Sequence, residues 1–302
     1  MHKLSCAMDI KVNMLFFPLL MGVLYSDSVY AKVVDLTHIY GPDVLYPPVG
    51  PGGTSNMFNF TIMHRGYEPA LNAWLEINWF GVFEHGSTHV DAPAHYSQGR
   101  AHLHEIPPEQ LVGPGVMIDI KDKASKSPDY LLTIDDILAW EKQHGTIPQG
   151  CIVMMNTGKH KLYPDAKRFY GTETPSNMSS YHNAGVEPMA ARWLMHNRQI
   201  KAFGTDAHSC DPGQNNNRNP CHEEFLPNGV ILLEFVANLD RLPIKDSTIF
   251  IGPMKMRDGS GGPCRILAIF GEHVEGVSLA RRTQGSFAGL LLVVILSIVL
   301  EI

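Results

Sequence analysis

Short apolar runs bounded by turn residues recur through the middle of the chain: Val116-Met-Ile-Asp-Ile120, Cys151-Ile-Val-Met-Met155, Ile200–Phe203, Val230-Ile-Leu-Leu-Glu234 and Arg265–Phe270. Runs of this length, rich in branched residues, predict mostly buried strands. Lys32–Leu36 reads as a further strand near the start. Between the runs, Thr133-Ile-Asp-Asp136 opens a helix with a capping box. Apolar Ile134, Ile137, Leu138 and Trp140 continue it to a stop at Gly145. A second helix runs from about Glu187, with Pro188 in its first turn, to Asn197. Strands alternating with helices predict one α/β domain with a mixed β-sheet and flanking helices. Asp206–Pro227 is rich in Asn, Pro and Gly and reads as a loop. Trp74 and Trp79 sit in an alternating stretch, which predicts core packing or, more sharply, a pocket wall.

Both ends depart from this pattern. Lys3 and Lys11 precede an apolar run, Met14–Leu24, with small or apolar Val29 and Ala31 after it. The run is too short to span a bilayer, and residues 1–31 read as a secretory signal peptide. Phe287–Ile302 is almost wholly apolar and follows Gly276-Val-Ser278 and a spacer with Arg281 and Arg282. That order reads as a GPI-attachment signal over 276–302, with a membrane tail as the alternative. The expectation is therefore a domain over 32–275, exported and held at the cell surface by a lipid anchor. Two glycosylation triplets, Asn59-Phe-Thr61 and Asn177-Met-Ser179, suit that route.

Composition narrows the partners. The 302 residues are 44% hydrophobic and 18% charged, enough apolar material for a real core, and the net charge of −6 comes with no basic block. Nucleic acid is excluded as a main partner, because a phosphate backbone requires a concentrated positive face. Cys6 falls in the signal segment, leaving Cys151, Cys210, Cys221 and Cys264. Cys210 and Cys221 are close enough in sequence to pair, with buried free thiols as the alternative.

The fifteen histidines direct attention to one segment, Glu84-His-Gly-Ser-Thr-His-Val-Asp-Ala-Pro-Ala-His-Tyr96. Gly86, Ser87 and Pro93 argue against a helix. On an extended segment His89 and Asp91 point to one side, and turns bring in His85 and His95. Neutral imidazoles with a carboxylate are suitable ligands for zinc or manganese. Further ligands are expected from His222 and from Glu234, a carboxylate ending an apolar strand that is costly to bury without a cation or strong donor. His64, His160, His182 and His208 read as surface or supporting residues.

The pattern His-x-x-x-His-x-Asp-x-x-x-His resembles the cyclase family of metal-dependent hydrolases, which includes bacterial-type kynurenine formamidase and isatin hydrolase. Gly204-x-Asp206-x-x-Ser209-x-Asp211, His222 and Glu234 extend the likeness. So do Asp35-Leu-Thr-His38, Asn156-Thr-Gly158 and Asp258-Gly-Ser-Gly-Gly-Pro-Cys-Arg265. The resemblance implies the swivelling β/α fold of that family. It also implies a first metal on His85, His89 and Asp91, and a second bridged by Asp91 and Glu234 and held by His222. His95 would carry the proton. Two zinc ions, or manganese, would serve hydrolysis of a small aryl-formamide or cyclic amide, with N-formyl-L-kynurenine as the named substrate and a homo-oligomer as the assembly. Two departures stand out: the family usually has Gly where Ser87 stands, and Tyr46 takes the place of a substrate-contacting Trp. Ser209 and Asp211 would orient ligands. The Asp258–Pro263 stretch is not a serine-protease nucleophile segment, since Gly259 precedes Ser260. A binding module that kept the fold without turnover is the second reading.

Overall fold

The computed structural model describes residues 30–47, 58–214 and 218–272. Ala31–Gly271 form one compact unit. The segments 1–31 and 276–302, read as a signal peptide and a lipid-attachment signal, lie outside the described residues apart from Tyr30 and Ala31.

The strands are β1 (Tyr30–Asp35), β2 (Asn59–Glu68), β3 (Ala73–Gly81), β4 (His89–Asp91), β5 (Val112–Asp119), β6 (Leu131–Leu132), β7 (Ile152–Asn156), β8 (Gly185–Val186), β9 (Ala202–Thr205), β10 (Ile231–Glu234), β11 (Ser247–Pro253) and β12 (Gly261–Glu272). The helices are α1 (Lys121–Lys126), α2 (Ile134–His144), α3 (Ala166–Tyr170), α4 (Pro188–Arg198) and α5 (Pro220–Phe225). Helix α2 starts as its sequence predicts, with Thr133 and Asp136 exchanging capping hydrogen bonds, and ends at Gly145, where φ is 90°.

One mixed sheet of eight strands runs in the order β1-β12-β11-β5-β7-β9-β10-β4, and β12 also pairs with β4. That second pairing closes the sheet on itself as a barrel. The β5, β7, β9 and β10 neighbours are parallel, while β11 and β12 run antiparallel. The parallel strands are apolar throughout because both of their faces are covered. Val116, Val153, Phe203 and Leu232 pack on one side with Ile137, Trp140 and Leu194 of the helices. On the other side Met117, Met154, Leu233, Ile249 and Ile266 fill the barrel.

Two expectations are corrected. The stretch 206–227 contains a helix, α5, whose first turn holds Pro220 and whose buried face presents Cys221, His222 and Phe225. Pro pre-sets the φ of a first helical turn and so starts a helix inside a loop-like composition. Trp74 and Trp79 are neither core nor pocket wall. They stand on the β2–β3 hairpin, which pairs only with itself among the described residues, and are 67% and 52% exposed. Among the described residues, no helix is long and apolar enough to cross a membrane.

Candidate metal centre

Strand β4 is three residues long and lies between two partners. Glu234 of β10 sits opposite His89 and Leu232 opposite Asp91, while Pro263 and Gly261 of β12 flank the other edge. Residues two apart on a strand share a face, and so do directly paired residues. The sheet therefore brings His89, Asp91 and Glu234 together on one side, and all three are buried. Gly261 is required by this closeness: a Cβ there would lie 2.5 Å from Cε1 of His85.

Left-handed residues set the approaches to these strands. Ser87 has φ 49°, a conformation that favours Gly, and its hydroxyl lies 3.0 Å from that of Tyr163. Phe235, directly after Glu234, has φ 50°. Its N–H donates to Ala207 at 2.8 Å, and its carbonyl accepts from the Thr88 hydroxyl at 2.7 Å. A bulky residue stays in this region only when its surroundings hold it there.

The donor atoms converge with geometry suited to a cation. His89 uses Nδ1 on the Ser87 carbonyl, 2.8 Å away, leaving Nε2 to face Asp91 at 3.1 Å and Glu234 at 3.5 Å. His222 uses Nδ1 on Asp211, leaving Nε2 at 3.5 Å from Asp91 and 3.4 Å from Glu234. Two ligands each about 2.1 Å from a tetrahedral ion lie roughly 3.4 Å apart. Nε2 of His89, Oδ2 of Asp91 and Oε1 of Glu234 are all buried without a hydrogen-bond partner, the deficit a cation would meet. Burial and the neighbouring Asp91 push the Glu234 carboxyl well above its ordinary range. Burial opposes ionisation of Asp91 too, but His89, His222 and His85 hold it well below the carboxylate norm.

A second group shares Asp91. Nδ1 of His85 is 2.6 Å from Asp91, and its Nε2 is 2.9 Å from the hydroxyl of Ser260, which donates to Glu84 at 2.6 Å. His95 ends the short turn Pro93–His95 and stacks on His85 with centroids 3.8 Å apart. One ligand atom each from His85, Asp91 and His95 lies within 4.8 Å of the others, as does one each from His89, Asp91 and Glu234. Burial pushes the His95 imidazole down to about 4, which keeps it neutral, and so free to accept a proton, at ordinary pH. The donor set of imidazoles and carboxylates fits zinc or manganese.

His85, His95, His222 and Glu234 border a cavity of about 350 Å³ whose other walls come from residues including Tyr96, Met178, Tyr181, His208 and Gln214. Asp211 orients His222, an arrangement raised by the resemblance. Cys210 and Cys221 are bonded as a disulfide, with Cα atoms 6.0 Å apart, so Cys210 is no ligand. Tyr46 does not line the cavity. Its ring packs so closely on Gly86 that a Cβ there would lie 1.7 Å away, and Pro47 reaches the wall instead. Asn59 and Asn177 are both exposed. Asp206 does not join the ligands: it accepts from Thr157 N–H and hydroxyl and from His160, tying two loops beneath the site. His208, expected at the surface or in a supporting role, is buried in the cavity wall. Its helical or strand periodicity carries no such signal, because it stands on a loop.

The profile of the family described as "Putative cyclase" matches residues 34–212. The chain belongs to this family. It is 30% identical over 248 residues to an isatin hydrolase of Roseibium aggregatum, covering 79% of this chain and 91% of that protein. A kynurenine formamidase of Salinibacter ruber is 24% identical over 222 residues, 72% of this chain and 89% of the relative. Among solved structures, an isatin hydrolase bound to the product analogue thioisatinate superposes with a TM-score of 0.72 at 28% identity, covering 85% of this chain and 97% of its own. The family member is thus a metal-dependent hydrolase acting on amide C–N bonds. The alternative of a binding module without turnover draws no support from these relatives.

Proposed function

We propose that the protein hydrolyses a small aryl amide, an aryl-formamide or a ring-closed amide, in the cavity bordered by His85, His95, His222 and Glu234. The observation that carries this reading is the set of buried, unpartnered donor atoms on His89, Asp91 and Glu234, of which Glu234 lines that cavity. When bound there, zinc or manganese supplies a Lewis acid for a carbonyl oxygen and makes a water acidic near neutral pH. His89, Asp91, Glu234 and His222 would hold one ion, and His85 with Asp91 a second.

The chain's own residues supply the proton traffic. His95, neutral and facing the cavity, takes a proton from the attacking water on a ring nitrogen. It then returns that proton to the departing amide nitrogen. Asp211 keeps the proton of His222 on Nδ1, so that Nε2 presents its lone pair to the site. The exposed Asn59 and Asn177 and the two terminal segments support a secretory, surface-anchored setting for this chemistry.

The test is turnover of isatin and of N-formylkynurenine by purified protein with zinc or manganese, before and after chelation. Metal-dependent turnover of either, lost in His95→Ala, supports the reading. Stoichiometric metal without turnover of either removes these substrates, and failure to bind metal removes the site.

A further inference from the structure

His208 differs from the other buried histidines around the cavity. His89, His160 and His222 each place Nδ1 against a carbonyl or carboxylate oxygen. The ring of His208 is only 8% exposed, and its Nδ1 is sealed from solvent with no hydrogen-bond partner. Tyr170 and Tyr181 stand edge-on to it, with centroids 5.4 and 5.0 Å away. Leaving a buried polar group unmet is costly, so it calls for an explanation.

The ring lines the cavity, and with Nδ1 walled in, the polar edge it presents there is Nε2. Burial holds its basicity down, to about 3, so the ring is neutral at any ordinary pH. A neutral imidazole carries one proton, and a sealed lone pair on Nδ1 is less costly than a sealed N–H. Nε2 is then the donor. A second observation concerns charge. Among the described residues, no lysine or arginine lines the cavity, so a substrate carboxylate would meet no cationic side chain on these walls.

We propose that His208 is a specificity-determining residue whose Nε2–H donates to a second oxygen of the substrate, one not belonging to the scissile amide. The cavity then selects uncharged aryl amides that carry an additional carbonyl, and disfavours amides bearing an amino-acid headgroup. This inference rests on the hydrolase reading of the same site.

The experiment compares wild type with His208→Leu and His208→Asn, both metal-loaded, on isatin, which has a ketone beside its amide, and on formanilide, which has one carbonyl. His208→Leu is expected to lower kcat/KM for isatin by about 10- to 100-fold, mostly through KM, and that for formanilide by less than about threefold. His208→Asn, which keeps a donor, recovers part of the loss. The unfolding midpoint of His208→Leu should be no lower than that of wild type, because the substitution removes an unmet polar group. Calorimetric binding of isatin to metal-free protein should weaken by the same factor. Equal loss on both substrates, or no loss on isatin, overturns the inference. If wild type turns over neither compound, the hydrolase reading falls and isatin binding decides for His208: equal affinity in wild type and His208→Leu, or no binding to either, overturns it.

Discussion

The β2–β3 hairpin and the β4–β10 ligand wall invert the usual placement of side chains in opposite ways. On the hairpin Phe60, Trp74, Ile77 and Trp79 are all about half exposed or more. On the ligand wall His89 and Asp91 are 1% exposed and Glu234 is 5%. The hairpin strands pair only with each other among the described residues, so alternation along them has no core to face. Strand β4, by contrast, is paired on both edges and its face is shut in by Phe235 and the loop after β9. Hydropathy predicts which side chains seek a face; pairing and closure decide whether a face is there.

The strongest way to break this contrast is at Asp91, which belongs to both ligand groups. Asp91→Asn should abolish bound metal and reduce turnover by about 10³-fold or more, measured by metal analysis and steady-state kinetics. A variant that kept metal and activity would mean that the buried carboxylate is only structural.

Stability should separate the two regions next. Saturating zinc at 100 times its dissociation constant should add about 2.7 kcal/mol to the folded state, read as a rise in the unfolding midpoint that chelation reverses. Glu234→Gln should remove that response while raising the midpoint of the metal-free protein, because burial beside Asp91 disfavours the carboxylate. A lower metal-free midpoint would contradict the proposed repulsion. Asp211→Asn, which loosens the hold on His222 while its remaining amide oxygen can still accept from the Cys221 N–H, should weaken metal affinity by about 10- to 100-fold.

How far the sequence exposes these features depends on where each residue gets its geometry. Helix α2 and the strands β5, β7, β9, β10 and β12 are visible because capping and apolar runs are local signals. The first ligand cluster is visible for the same reason, since four of its members fall between His85 and His95. Helix α5 is hidden by the composition of its surroundings, and the resemblance alone puts Tyr46 against the substrate, since nothing local in the sequence records its contact with Gly86. His208 gives no pattern at all. Its environment is assembled from Tyr170 and Tyr181, which reach it only through the fold.

A smaller effect sharpens the contrast through pH. Burial holds His38 down at about 4, against an ordinary 6.5. Between those values the unfolded chain binds a proton that the folded chain refuses, so stability falls as pH drops through that window and is unaffected above it. His38's share of the loss at pH 5 is about 2 kcal/mol, beside the shares of His95 and His208, so His38→Gln should lose that much less than wild type. Parallel melts of the two proteins at pH 5 and 7 test it; equal shifts would assign the effect elsewhere. The smallest change belongs to the hairpin. Trp74→Thr and Ile77→Thr, both at exposed positions, should alter unfolding free energy by no more than about 0.5 kcal/mol in denaturant titrations. A larger loss would show that these side chains are covered in solution.

The disulfide between Cys210 and Cys221 has a consequence for how the protein can change over generations. It joins the loop carrying Asp211 to the helix carrying His222, so both sides of that pairing are anchored outside the intervening stretch. Gln214 and Asn219 lie within that stretch and line the cavity. New side chains at these two positions can reshape what enters while the ligands stay in place. Natural variation, or a designed library, at Gln214 and Asn219 can therefore explore new substrates without first risking the chemistry.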